Sequence, residues 1–295
     1  MKIEYKYFLM LLTAITLVSC KSDKSSSSEN TSDTLAIIND KLSGKDYQSV
    51  LLIPPCDFFI ELNELSIKLD PKIVISTDNL RKYDNTRLEA LNLGVYLADF
   101  TYLLLANETE QSSDYLPGIN DLSNKLRLDL SWSKKLFKQI KKNKDNPDSL
   151  CEISNDLQER IILDLEFSYR HEIVAMVTIG TFIEAVYLSL SNFSNYGDID
   201  LINNQLNNHR HIFNQYQTYL KQFNDNPRIL STLSELSELK TFFEELKLVS
   251  NKRDIVRTDS SMIKISGGAK ISLSQEELVE LMKIVYSVRK KITLS

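Results

Sequence analysis

The chain has 295 residues, a net charge of −5 at pH 7, seven glycines and six prolines. A mildly acidic chain without a basic stripe argues against nucleic acid as a partner and against electrostatic binding to anionic lipid. Few glycines and prolines, beside abundant leucine, isoleucine, lysine, glutamate and asparagine, favour long helices over many short strands.

The N-terminus carries a leader that ends at Cys20. Lys2 and Lys6 precede an apolar run over 7–18, and Ser19 stands directly before Cys20. This order is typical of a secretory signal. The ending Leu17-Val18-Ser19-Cys20 resembles the lipobox of bacterial lipoproteins, which implies cleavage before Cys20 and a diacylglycerol on its thiol. The alternative is a transmembrane anchor. The run over 7–18 is shorter than the roughly 20 apolar residues that a span needs, and no other stretch of the chain comes close to that length.

The leader divides the chain into three predicted parts: a signal peptide over 1–19, a stalk over 20–33 and one α-helical domain over 34–295. The stalk is polar and serine-rich, which is typical of a flexible tether. Without the residues that precede Cys20 the net charge is −6. Lys21 stands where an inner-membrane retention signal favours aspartate, so the predicted location is the outer membrane, at its periplasmic face or at the cell surface.

Two further cysteines, Cys56 and Cys151, follow the leader. An extracytoplasmic compartment permits a disulfide, but two cysteines so far apart in sequence are no disulfide framework. Unpaired cysteines with apolar neighbours are commonly buried small hydrophobic residues. The sequence favours that interpretation and leaves the bridge open, since only the folded geometry can bring the two Cα atoms within about 7 Å.

Apolar periodicity and capping signals predict a mainly α, multi-helix array of about eight or nine helices with one small β-hairpin near the C-terminus. The predicted helices cover 57–68, 85–106, 114–126, 131–142, 147–167, 169–190, 199–223, 227–249 and 274–291. Alternating residues over 262–273 predict the hairpin, with its turn at Gly267-Gly268. Ser274 and Glu277 have the spacing of a capping box at the start of the last helix.

Two of the predicted helices contain an interior glycine, Gly94 in one and Gly180 in the other. Glycine in a helix interior costs about 1 kcal/mol relative to alanine, so its presence indicates the close approach of another backbone. Gly94 and Ala98 share one helical stripe, and Gly180 and Tyr187 share another. The sequence therefore predicts helix contacts along both stripes.

The same two helices each place one acid among apolar neighbours, Asp99 and Glu184. A buried acid needs hydrogen bonds or a counter-charge, or else it stays protonated. One interpretation is a satisfied core in which tyrosine hydroxyls, a helix N-terminus or an arginine such as Arg87 or Arg170 serves the acids. The other interpretation is a pair of acids that line a cleft, for general acid–base work or a metal. The satisfied core is favoured because no metal-ligand spacing accompanies the acids.

Histidines add no catalytic signal. His209 and His211 stand in an asparagine-rich run and are predicted to face solvent. No nucleophile elbow, phosphate-binding glycine loop, metalloprotease helix or EF-hand loop is present. The sequence predicts no cofactor and no metal.

Several segments resemble an uncharacterised group of Bacteroidetes lipoproteins, in which "LNLGVYGADL", "DNKDSL" and "GGWIEGLY" occur in this order. The matching segments are Leu91-Asn92-Leu93-Gly94-Val95-Tyr96-Leu97-Ala98-Asp99, Asn146-Pro147-Asp148-Ser149-Leu150 and Gly180-Thr181-Phe182-Ile183-Glu184-Ala185-Val186-Tyr187. The resemblance covers about 49–293 and departs at Leu97, Thr181 and Ala185, where the group tends to have glycine. It implies a secreted helical lipoprotein and carries no activity.

The function predicted from the sequence is therefore a membrane-anchored envelope lipoprotein that acts as a non-catalytic binding or scaffold module. Its partners are the lipid bilayer, through acylated Cys20, and an envelope protein or small ligand. The alternative is a carboxylate-based or metal-dependent hydrolase that uses Asp99 and Glu184. That alternative requires both acids close together in a pocket connected to solvent.

Overall fold

The computed structural model of the protein describes residues 53–59, 62, 67–128, 133–196, 199–246, 248–257 and 263–294. All of them belong to one compact unit, Ile37–Ser295. The leader with Cys20, the stalk and half of the predicted helix over 57–68, namely 60–61 and 63–66, lie outside the described residues.

The prediction of a mainly helical fold is confirmed. Ten α-helices are present in the described part of the chain: α1 Thr86–Leu105, α2 Thr109–Ser113, α3 Tyr115–Lys125, α4 Ser133–Lys142, α5 Pro147–Phe167, α6 His171–Tyr196, α7 Ile199–Leu220, α8 Pro227–Glu235, α9 Ser237–Glu245 and α10 Gln275–Thr293. Short 3-10 turns cover Pro55–Phe58, Pro71–Ile73, Thr77–Lys82 and Lys221–Phe223. Strands β1 Leu248–Arg257 and β2 Ile263–Ile271 pair antiparallel.

Helix starts follow the expected local chemistry. The side chain of Asn85 accepts a hydrogen bond from the Leu88 amide at 3.0 Å and caps α1. Ser274 and Glu277 form the predicted capping box of α10 in both directions. These contacts satisfy amide groups that have no partner inside the first turn of a helix.

Helices α1 and α6 form the centre of the domain and pack against each other, with α3, α5 and α10 around them. Both are long and apolar enough to cross a membrane, with a mean hydropathy of 1.3 for Thr86–Leu105 and 1.9 for His171–Asn192. The expectation that no stretch beyond the leader comes close to a span is therefore wrong. In these two windows 89% and 94% of the residues are buried inside the protein. A core helix surrounded by other helices is apolar on every side for the same reason as a spanning helix.

Two predicted elements near the C-terminus are wrong. The helix over 227–249 is two helices, α8 and α9, and Leu248 already belongs to β1. The hairpin over 262–273 is not supported, because Gly267 and Gly268 lie inside β2 and Gly268 pairs with Asn251 of β1. The register shifts opposite Gly267, between Asn251 and Asp254. Glycine within a strand often accompanies such a bulge, so the glycine pair marks an irregular strand and not a turn.

Cys56 and Cys151 form a disulfide, with their Cα atoms 5.6 Å apart. The bridge joins the 3-10 turn Pro55–Phe58 to α5. The favoured interpretation of two unpaired buried thiols is therefore wrong. Their separation of 95 residues gave no local signal, because only packing of the two segments brings the thiols together.

Replacement of both cysteines, Cys56→Ser with Cys151→Ser, is expected to lower the free energy of unfolding by about 3 kcal/mol. The bridge restricts a loop of 95 residues in the unfolded chain, and removing it frees that loop. Urea unfolding of the oxidised wild type and of the double variant measures the difference. Reduced wild type should unfold at the midpoint of the double variant, and an unchanged midpoint would contradict the prediction.

Candidate functional site

Helices α1 and α6 approach most closely at two glycines. A Cβ atom on Gly94 would lie 2.0 Å from the Val177 carbonyl oxygen, and a Cβ atom on Gly180 would lie 1.9 Å from the Leu91 carbonyl oxygen. Carbon and oxygen cannot approach so closely, and hence only glycine fits at either position. Thr181 Oγ1 also donates a hydrogen bond to the Gly94 carbonyl oxygen at 3.2 Å across the crossing. Gly94 and Gly180 thus lie at one reciprocal backbone contact.

The other two residues predicted to make helix contacts have different surroundings. Ala98, one turn after Gly94, is fully buried. Tyr187, two turns after Gly180, contacts the last helix: its ring packs beside Arg289 and Tyr286 of α10.

Beyond the glycine contact, Glu184 forms a buried ion pair with Arg289 of α10. Arg289 Nε donates to Glu184 Oε2 at 2.6 Å, and Nη2 donates to Oε1 at 2.6 Å. Nη2 also donates to the Ile73 carbonyl oxygen at 3.1 Å. Glu184 is 0% exposed and Arg289 is 7% exposed. This two-point pairing attaches the C-terminal helix to the centre of the domain.

Asp99 lies in the same region, is 0% exposed, and has a different set of partners. Its Oδ2 accepts a hydrogen bond from the Ile75 amide at 3.1 Å, while Oδ1 has no hydrogen-bond partner. Burial raises the pKa of the Asp99 carboxyl well above its ordinary value, and the negative charge of Glu184 raises it further. Arg289 and the Ile75 amide act in the opposite direction. Burial therefore favours the neutral form of Asp99, while the Arg289 guanidinium pairs with Glu184.

Three buried tyrosines surround this cluster, but their hydroxyl groups serve the backbone. Tyr83 donates to the Thr293 carbonyl oxygen at 3.1 Å, and Tyr96 donates to that of Ser76 at 3.2 Å. Tyr115 donates to the Ile75 carbonyl oxygen. The tyrosines thus hold the 73–76 segment and the end of α10 against the core, and the acids depend on Arg289 and the Ile75 amide.

These contacts bear on the two interpretations of Asp99 and Glu184. Both acids are sealed from solvent and engaged by protein groups, so the geometry around this pair offers no space for a substrate and weighs against the catalytic interpretation. Among the described residues no group of three or more histidines, cysteines, aspartates or glutamates is placed to hold a metal ion. Glu184 has the buried counter-charge that the satisfied-core interpretation requires, from a different arginine, whereas Asp99 keeps one oxygen without a hydrogen-bond partner.

The arginines named from the sequence serve elsewhere. Arg87 pairs with Glu235 at 2.7 Å, and Arg170 donates to the Leu126 carbonyl oxygen. Arg289 was missed, although a signal for it exists in the sequence. It follows Val285 by four residues and precedes Ile292 by three, so it falls on the apolar stripe of the last helix, where an arginine needs a buried carboxylate.

Arg289 also contacts a residue that lines a groove at the protein surface. Its guanidinium carbon lies 3.9 Å from the centre of the Tyr187 ring, a cation–π contact. Tyr187 forms part of the wall of a groove between α6 and α10 with a volume of about 410 Å³. This α6–α10 groove is lined by Tyr187, Leu190, Ser191, Val279, Met282, Lys283, Val285 and Tyr286.

The α6–α10 groove presents apolar surface to solvent. Val279 is 42% exposed and Tyr286 is 52% exposed, and the rings of Tyr187 and Tyr286 lie 6.4 Å apart. Single exposed apolar residues are ordinary on protein surfaces, but a concave set of them beside aromatic rings is typical of a binding surface. The buried ion pair behind Tyr187 fixes one wall of the groove.

His209 is a further buried group that the sequence placed wrongly. It is 2% exposed, lies between the rings of Phe58 and Phe182 at 6.0 and 6.3 Å, and neither ring nitrogen has a hydrogen-bond partner. His211, two residues on, is exposed as predicted. The asparagine-rich run suggested an exposed histidine. However, His209 is four residues before Phe213 and lies on the same buried face of the helix. Burial lowers the pKa of His209 to about 4.

The domain is therefore expected to lose stability in acid through His209. The unfolded chain takes up a proton near pH 6.5 and the folded chain only near pH 4, so the contribution of His209 is present above pH 6.5 and is lost as the pH falls through that window. The loss amounts to about 3 kcal/mol. Urea unfolding between pH 4 and pH 7 should show a steeper decline for wild type than for His209→Leu. Equal slopes would contradict the prediction.

No protein-family model, curated protein or solved structure matches the chain.

Proposed function

We propose that this chain is a lipid-anchored envelope protein that uses the α6–α10 groove to dock an apolar surface of a protein partner, without catalysis. The observation that carries the proposal is the groove itself, with exposed Val279 and Tyr286 on α10 facing Tyr187 on α6. Helix-bounded grooves of this kind receive apolar side chains of a partner. Glu184, one of the two catalytic candidates, is buried behind this groove and pairs with Arg289, which contacts Tyr187.

The anchor and compartment rest on the N-terminal sequence. The leader and Ser19-Cys20 favour a lipoprotein, and the resemblance of the chain to Bacteroidetes lipoproteins agrees with that; Lys21 favours the outer membrane. The Cys56–Cys151 disulfide adds support, because such bonds persist in oxidising compartments and are rare in the cytosol.

Site-specific photo-crosslinking in intact cells tests the docking function. A photoreactive phenylalanine analogue replaces Val279 in the groove, and the matched control carries it at Leu230 of α8, which is similarly exposed at 50%. A defined protein adduct at position 279 that is absent at position 230 is the expected result. Equal or no adducts at the two positions would remove the support for a protein-docking groove.

The variant Cys20→Ala is expected to move the protein from the membrane fraction to the soluble fraction, because the acyl chains on Cys20 are the proposed anchor. Fractionation of cells that produce wild type or variant measures the shift, and a salt wash of the membranes separates peripheral attachment from anchoring. Membrane association of the variant that resists the salt wash would contradict the lipid anchor.

A further inference from the structure

The outward face of α10 carries a repeating pattern. Glu276, Val279, Lys283, Tyr286 and Lys290 follow one another at spacings of three and four residues. At 100° per residue they fall within an arc of about 80° and span about 21 Å along the helix. All five side chains are exposed. Residues at spacings of three and four share one face of a helix, and this seam of five residues is the exposed face along which a second helix could pack.

The charges along the seam run from acidic to basic. Glu276 lies in the first turn of α10, and Glu280 flanks the seam one turn later, whereas Lys283 and Lys290 lie in the second half. None of these four side chains forms an ion pair with a described residue. A surface with opposite charges at its two ends is complementary to the same surface turned end for end.

We propose that the occupant of the α6–α10 groove is a second copy of this chain, with the two α10 helices packed antiparallel about a two-fold axis at Lys283. This inference rests on the proposed function and names the partner of the same groove. It places Glu276 of each copy opposite Lys290 of the other, and Val279 of each copy opposite Tyr286. The same patch then serves both copies, as a two-fold interface requires.

The antiparallel arrangement follows from the seam. In a parallel pair Glu276 would face Glu276 and Lys290 would face Lys290, and like charges in register oppose association. In the antiparallel pair only Lys283 meets itself. A single lysine at such a position of a helix pair lowers affinity but fixes register, and its long stem carries the charge out to the rim.

Cysteine crosslinking on the cell membrane tests the arrangement with the full lipidated chain. Lys283→Cys places a thiol at the two-fold axis, while the native thiols are engaged, Cys56 with Cys151 and Cys20 with lipid in the proposed anchor. Mild oxidation should yield a dimer of twice the mass of the chain. Leu230→Cys, exposed on α8, is the control for random encounters of anchored chains. Dimer yield at position 283 that does not exceed the yield at position 230 would overturn the inference.

Charge reversal in the same assay tests the register. Adding Glu276→Lys to Lys283→Cys is expected to weaken the association about tenfold, because an attractive pair becomes a repulsive one on both sides of the axis. Adding Lys290→Glu as well should restore the yield, since the reversed charges again face each other. All positions are exposed, the membrane-bound amount of each variant reports on anchoring, and its urea unfolding midpoint reports on folding. A yield that charge reversal leaves unchanged, or that the second reversal leaves low, would overturn the inference.

The outcomes separate this inference from the function on which it rests. If position 279 crosslinks to a different protein and Lys283→Cys gives no dimer above the control, the groove docks a partner but not a second copy. If position 279 yields no specific adduct, the docking function fails, and the second copy fails with it.

Discussion

Gly180→Leu is expected to lower the free energy of unfolding by about 5 kcal/mol or more, which is the whole stability of many domains. The first side-chain carbon alone would lie 1.9 Å from the Leu91 carbonyl oxygen, an atom of the α1 backbone that cannot rotate away. The two central helices would have to separate. Separation would open a cavity along their contact and would move Glu184, one turn further on, relative to Arg289.

A matched comparison isolates the backbone contact. Gly180→Ala is expected to cost at least about 3 kcal/mol, at the upper end for overpacking. Gly118→Ala is the control, because its Cβ would meet side-chain atoms of Tyr96 and Leu80 at 2.9 and 3.0 Å and no backbone atom. Side chains adjust more readily than a packed helix backbone, so the expected cost at Gly118 is below about 2 kcal/mol. Chemical unfolding measures all three variants, and a change below about 0.5 kcal/mol for Gly180→Leu would show an open helix face.

The glycine contact shows what a single sequence can predict. An interior glycine in an otherwise apolar helix departs from propensity, and the departure points to its cause, a second backbone. Local signals of this kind, periodicity and caps, also predicted α1, α5, α6 and the start of α10. They failed at 227–249, where helical periodicity continues past the end of α9 and only pairing with β2 makes residues 248–249 a strand.

Features that depend on distant residues were harder to predict. The side chain that balances Glu184 comes from α10, 105 residues further on, and the pairing of Cys56 with Cys151 spans 95 residues. Such contacts are set by the packing of whole helices, which one sequence does not specify position by position. The acids themselves were found because a carboxylate between apolar neighbours violates the pattern, but their role depended on Arg289, which carries the same kind of violation in another helix.

Two substitutions that each remove one carboxylate from the buried cluster are expected to have opposite effects. Glu184→Gln leaves the Arg289 guanidinium buried without a carboxylate and is expected to cost about 4 kcal/mol. Asp99→Asn replaces an acid whose neutral form burial favours with a neutral amide of similar shape, whose oxygen still accepts from the Ile75 amide. At pH 7 it is expected to equal or exceed wild type in stability.

The pH dependence of the free energy of unfolding distinguishes a buried acid with a raised pKa from a position at which substitution simply has no effect. The unfolded chain releases the Asp99 proton near pH 4, whereas the folded chain retains it, because burial raises the pKa of this carboxyl. The stabilising contribution of Asp99 is therefore complete below that pH, and the free energy of unfolding falls as the pH rises toward the raised pKa of the folded state. Asp99→Asn should remove this decline and leave the acid-side loss through His209 in place.

Unfolding of wild type and both variants across the pH range measures these differences, and the double variant measures the coupling. With both acids replaced, Arg289 has neither carboxylate near it, so the combined cost should exceed the sum of the two single effects. A loss of several kcal/mol for Asp99→Asn alone would show that Asp99 carries the charge that Arg289 balances. In that case the two acids share one counter-charge, and the wall of the α6–α10 groove behind Tyr187 depends on both of them.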